Sequence, residues 1–171
     1  FEQRPWMKCA DIADRVIQAI GSGKYDFIRL NFPNGDMVGH TGIYQAVICS
    51  MEGMDIQLGR IRKAVDEAGA VMIITADHGN SDDMYEHDKK SGAVSCKADG
   101  SPKAKTSHSL NPVPCIIYDP AYQGEYERGT GGNNEGALKD GLGISSIAAT
   151  CIELLGFIPP KDYDSSVLKI R

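Results

Sequence analysis

The sequence predicts an α/β fold: a parallel or mixed sheet with helices on both of its faces. Three observations predict it. Residues 71–75 are an almost wholly apolar run, the pattern of a strand buried on both faces. Two stretches with apolar residues at helical spacing, 7–20 and 43–68, precede that run. Along the chain the order is then helix, strand, helix, strand, loop, strand, helix, with no internal repeat.

The first helix places Cys9, Ala10, Ile12, Ala13, Val16, Ile17 and Ile20 at helical spacing, and Gly21 stops it. Residues 26–32 form a β-prone run closed by Pro33, which cannot continue a central strand. A Gly/Asn/Asp loop follows. The long helix 43–68 has a core face of Val47, Met51, Met54, Leu58, Ile61 and Val65. Cys115–Tyr118 is a further short strand, residues 124–143 are a Gly-rich loop, and residues 144–155 form a last helix stopped by Gly156. Residues 81–107 are polar and aperiodic. A connection of that length is either functional or disordered, and it reads as a mobile surface excursion.

At 171 residues the chain fits one domain with a substantial core. A net charge of -5 argues against non-specific nucleic-acid binding, which needs a basic face. No apolar run approaches the ~20 residues needed to span a bilayer, and no charged-then-apolar leader opens the chain. The expectation is a soluble, cytoplasmic, monomeric protein. Five scattered cysteines without a CxxC pair read as reduced, structural thiols. The chain begins at Phe1, so it is either processed or part of a longer protein. Trp6 is expected to be a packing anchor.

Three polar clusters lie against expected strands: Asp36-Met-Val-Gly-His40, Asp77-His78-Gly79-Asn80 and Thr106-Ser-His108. In open α/β sheets ligands bind outside the carboxyl ends of strands. Two clusters sit at such ends, and the third is placed to fold back over them. Carboxylates with imidazoles suit borderline or hard divalent ions, and the lack of nearby thiolates argues against a soft site. Gly35, Gly39, Gly42 and Gly79 flank these candidates, where tight turns let backbone and metal approach closely. Asp82, Asp83 and His87 are secondary candidates to which no role is assigned.

The segments Asn31-Phe-Pro-Asn-Gly-Asp-Met-Val-Gly-His-Thr-Gly42, Ile74-Thr-Ala-Asp-His-Gly-Asn80 and Thr106-Ser-His-Ser-Leu-Asn-Pro-Val-Pro114 resemble successive signatures of the cofactor-independent phosphoglycerate mutases. Arg4-Pro5-Trp6-Met7 and Leu154-Leu155-Gly156 extend the resemblance over nearly the whole chain. It implies the C-terminal portion of a three-layer αβα, alkaline-phosphatase-like sheet. It also implies that Asp36, His40 and His108 hold one metal ion and that Asp77 and His78 help hold a second. Manganese is the usual ion of that family, with magnesium, cobalt or zinc in some members. The family interconverts 3-phosphoglycerate and 2-phosphoglycerate through a phosphoserine intermediate. Its serine nucleophile, a further aspartate ligand and its substrate-binding arginines belong to segments before Phe1, so no catalytic or substrate-binding residue is assigned in this chain.

A count of ligands points the same way. Two ions with at least three protein ligands each need about six donors, by analogy with open catalytic sites. The clusters provide five, so the chain alone is expected to hold one ion moderately and the second weakly, without mutase turnover. Imidazole ligands make that affinity fall below about pH 6. Two alternatives share part of this logic: another alkaline-phosphatase-like enzyme, such as a phosphopentomutase, phosphodiesterase or sulfatase, and a metal-stabilised domain without catalysis.

Overall fold

In a computed structural model the described residues are 1–129 and 142–171. They form four helices and four strands. The helices are α1 (Cys9–Gly21), α2 (Asn34–Gly39), α3 (Tyr44–Ala68) and α4 (Ser146–Leu154), and the strands are β1 (Met72–Thr75), β2 (Cys115–Tyr118), β3 (Tyr126–Arg128) and β4 (Leu168–Ile170). The expected helices 7–20, 43–68 and 144–155 and both expected strands around β1 and β2 are present. Most of the Gly-rich loop 124–143 lies outside the described residues, and within it Tyr126–Arg128 is a strand.

The main core forms where α1 packs on α3. Cys9, Ala13 and Val16 recur at intervals of four and three, so one stripe of α1 is buried. Ala13 and Val16 meet Ile61 and Val65 of α3. Gly69, at φ 61°, ends α3 in the left-handed conformation, and the Ala70 N–H donates to the Val65 carbonyl at 3.1 Å. The same α3 stripe is looser in its middle, where Met51 is 38% exposed rather than core and Met54 and Leu58 are only half-buried, whereas Val47 near its start is buried. Trp6 is likewise half-exposed, and it is its backbone carbonyl that is used, accepting from Asn34 Nδ2 at 3.0 Å.

The strands correct the expected sheet. Among the described residues they pair only as β1 with β2 and β3 with β4, both antiparallel. Val71 is exposed and β1 is only partly buried, so it is not the doubly covered strand its apolar run predicts. A short antiparallel pair with helices packed on it needs no second covered face.

Residues 26–32 form no strand and pair with none. Their side chains keep strand alternation: Ile28, Leu30 and Phe32 pack on the α1–α3 core, while the residues between them are exposed. The period was legible, but a strand also needs a neighbour to hydrogen-bond. The Gly/Asn/Asp loop is instead the short helix α2.

Residues 84–105 are folded by backbone hydrogen bonds, against the expectation of a mobile excursion. The N–H of Glu86 donates to Lys103 O (2.9 Å), that of Lys103 to Ser95 O (2.8 Å), and that of Ser95 to Glu86 O (2.7 Å). Three extended segments therefore close on one another in a triangle. Met84 roots this ribbon in a second core with Val38, Ala46 and Val47, and Tyr85 stacks on Tyr44 at 5.9 Å between ring centroids.

Candidate metal centre

Asp36 and His40 both belong to α2, His40 as its C-terminal cap. A spacing of four puts them on one face of a helical turn. Asp77 and His78 follow the end of β1. The antiparallel pairing sets Thr75 opposite Cys115, so the end of β1 lies beside the start of β2. That register brings the segment before β2, with His108, to the end of β1. The antiparallel register thus brings the second and third clusters together, and α2 carries the first to them.

His40 Nε2 lies 3.1 Å and His108 Nε2 3.0 Å from the same oxygen, Asp36 Oδ1. The ligand atoms of Asp36, His40 and His108 all fall within 4.8 Å of one another, as donors to one ion with bonds of about 2.0–2.2 Å must. His40 Nδ1 faces the Thr106 carbonyl at 2.5 Å, which can only accept. Nδ1 therefore carries a proton, and the neutral ring presents its Nε2 lone pair to the cluster. A carboxylate oxygen and two imidazole nitrogens aimed at one point need protons or one cation between them. The donor set fits a divalent ion.

The second pair is partly assembled. The His78 ring stacks on His108 at 3.7 Å between centroids and 17° between planes. Asp77 Oδ1 is 3.7 Å from His78 Nε2, but the Asp77 side chain is 82% exposed. Among the described residues only Asp36, His40 and His108 form a group of three donors.

Small polar residues to which the sequence assigned no role hold these side chains in place. Asn80, which is buried, donates from Nδ2 to Asp36 Oδ1 at 3.3 Å. Ser81 Oγ donates to the Gly35 carbonyl at 2.5 Å, tying the same turn to α2. The N–H of Ser109 donates to Gly79 O at 2.9 Å. Ser109 Oγ and Asn111 Nδ2 both donate to Asp82 Oδ2, at 2.8 and 2.6 Å. Partial burial disfavours ionisation of Asp82, but the hydrogen bonds from Asn111 and Ser109 outweigh it and hold the carboxyl below its usual range.

Two glycines also differ from expectation. A Cβ on Gly39 would lie 2.0 Å from Asn80 Oδ1, and one on Gly79 would lie 2.2 Å from Ser109 Oγ. Their bareness admits these bracing side chains.

His87 stands apart from this set. Its Nε2 is 3.0 Å from Asp83 Oδ1, and Lys105 Nζ bonds Asp83 Oδ2 at 2.6 Å. These residues pin the ribbon to its base.

A paired α/β arrangement carrying a carboxylate–imidazole trio is the architecture of a metal-dependent enzyme domain. The profile of the Metalloenzyme superfamily matches residues 1–159, and the chain belongs to that superfamily. Within it, the chain is 44% identical to the 2,3-bisphosphoglycerate-independent phosphoglycerate mutase of Trypanosoma brucei brucei, over 99% of this chain and 29% of that protein. It is 38% identical to a probable enzyme of the same name from Leptospira interrogans, with the same coverage. A crystal structure of Leishmania mexicana phosphoglycerate mutase at low cobalt concentration superposes with a TM-score of 0.91 at 41% identity, covering 100% of this chain and 30% of that one. The chain thus has the α/β fold of part of a phosphoglycerate mutase and spans under a third of these relatives. No helix among the described residues is long and apolar enough to cross a membrane.

Proposed function

We propose that this chain is the ligand-bearing C-terminal part of a cofactor-independent phosphoglycerate mutase, which interconverts 3-phosphoglycerate and 2-phosphoglycerate through a phosphoserine. The observation that carries the proposal is the convergence of His40 Nε2 and His108 Nε2 on Asp36 Oδ1. The likeness to phosphoglycerate mutases over nearly the whole chain supports the choice of reaction. In this reading Asp36, His40 and His108 hold one divalent ion, and Asp77 and His78 give the first two ligands of a second. Manganese is the proposed ion, as the resemblance implies. When bound, such ions stabilise charge on the phosphoryl oxygens and lower the pKa of a nucleophile.

The chain's own contribution is placement. The Thr106 carbonyl fixes the tautomer of His40, and the ring of His108 orders that of His78. We assign no residue of this chain as phosphoryl acceptor. That role, and the grip on phosphoglycerate, belong in this reading to the share of the enzyme beyond the matched 29%.

The test compares the chain alone with a longer protein that restores the segments its relatives have. The chain alone is expected to bind one manganese ion moderately, the second weakly, and to leave 3-phosphoglycerate unchanged. The longer protein should convert it, and both a chelator and Asp36→Asn should stop the conversion. Preferential turnover of a ribose phosphate, or an Asp36→Asn protein that still turns over, would sink the reading.

A further inference from the structure

The geometry points to residues Asn80 and Asp82 as positioning residues, two arms of one turn that aim Asp36 and His108 at the same ion. This inference rests on the metal-site reading above and adds what holds the ligands in register.

The turn follows β1 directly, so the sheet fixes its origin. Its first arm is Asn80. With Asp36 ionised, only one orientation of the amide is allowed: Nδ2 donates to Asp36 Oδ1 at 3.3 Å, and the flipped amide would set two oxygens against each other. That leaves Asn80 Oδ1 buried without a partner. A buried orphan acceptor costs stability, so a feature that keeps it there has a use beyond packing. The bare Cα of Gly39 gives it room.

The second arm is Asp82, whose Oδ2 takes donors from Ser109 and Asn111. Ser109 immediately follows His108 and is 6% exposed. Its backbone is also bonded to Gly79, so the residue after His108 is held at two points by residues 79–82. Among the described residues the hydrogen bonds of the Asp82 side chain run to Ser109 and Asn111, so it acts on His108 through Ser109. Carboxylate acceptors of two hydrogen bonds make short, strong anchors. Asp82, a secondary candidate without a role in the sequence, thus takes a place behind the ligands.

The experiment is a manganese titration by calorimetry, paired with the melting temperature of metal-free protein. Outer-shell changes typically weaken metal affinity by about 10–100-fold, and we expect about tenfold for Asp82→Ala and for Asn80→Ala. Asp82→Asn, which keeps an acceptor oxygen, should recover part of that loss. Asp99→Ala is the control: Asp99 accepts from Ser101 Oγ at 2.6 Å within its own exposed turn rather than from a residue beside a ligand, and its loss should leave manganese affinity unchanged. Combining Asp82→Ala with Ser109→Ala should cost no more than Asp82→Ala alone, since that change already removes the bond that Ser109 makes.

Wild-type affinity in the Asp82 variant, or additive losses in the pair, would overturn the inference. So would affinity losses that merely follow a fall in metal-free melting temperature. If Asp36→Ala also kept full affinity, the metal-site reading itself would fail, and that outcome is distinct from failure of the brace alone.

Discussion

Where α1 crosses α3, Ala13, Val16, Ile61 and Val65 are almost fully removed from water, with Ile12, Ile17, Leu30 and Phe32 packed against them, and the Arg60–Asp14 ion pair joins the two helices on their exposed side. Around Asp36 the contacts are of another kind. Asn80 bonds Asp36, Ser81 the Gly35 carbonyl, the Thr106 carbonyl His40, and Ser109 and Asn111 both Asp82, and the ligands remain partly open to solvent. The first region is held by non-directional apolar burial, which tolerates small shifts. The second is held by directional bonds, each of which fixes an atom. Substitutions in the two regions should therefore be read by different measurements: stability for the first, metal affinity for the second.

The largest effect sharpens that contrast. Asp36→Ala removes the oxygen on which both imidazoles converge, and it should reduce affinity for the first ion by more than the roughly 100-fold ceiling of outer-shell changes. The metal-free unfolding curve should scarcely move. Ile61→Ala does the reverse. It empties space in the α1–α3 core and should cost about 3 kcal/mol, read as a lower urea midpoint, with manganese affinity unchanged.

Gly39→Ala tests the boundary between the two regions. Its Cβ would drive into Asn80, so it should cost about 2 kcal/mol by overpacking and also weaken metal binding. A loss of stability alone would show that Asn80 does not steer Asp36.

The smallest effect concerns the base of the ribbon. The hydrogen bond from Lys105 leads the causes that hold the Asp83 carboxyl below its usual range, against some desolvation and with help from His87. A carboxylate with a depressed folded-state pKa stabilises the fold above its unfolded pKa, and that contribution is lost as pH falls through the folded value. Asp83→Asn should thus cost about 1 kcal/mol at pH 7. The difference from wild type should shrink below about pH 4. A pH-independent difference would mean the Lys105 bond is not its source.

The same contrast explains what could be read from the residues alone. Helical spacing located α1 and α3 to within about two residues, because one buried stripe imposes a period on the sequence. Alternation at Ile28, Leu30 and Phe32 was equally visible, but whether that segment finds a hydrogen-bonded neighbour depends on chain elsewhere. The antiparallel pairing of β1 with β2, the helix α2 and the folded ribbon over 84–105 leave no periodic trace. The five candidate ligands stood out because carboxylates and imidazoles at strand ends are chemically conspicuous. Asn80 and Asp82 were visible beside them but without a role, and Ser109 stood unremarked within a signature segment, since small polar residues in a loop look alike until their partners are known. Glycines 39 and 79 marked the place, and only the geometry showed that they make room for side chains rather than for a metal.

The most direct test of the whole account is the imidazole nitrogen spectrum of the protein's four histidines during titration with zinc, a diamagnetic stand-in for the proposed ion. The account predicts that Nε2 of His40 and His108 shift together by the first equivalent, that His78 follows at higher zinc, and that His87 does not respond. Movement of His87 with the first equivalent, or a first equivalent that leaves either His40 or His108 unmoved, would contradict it.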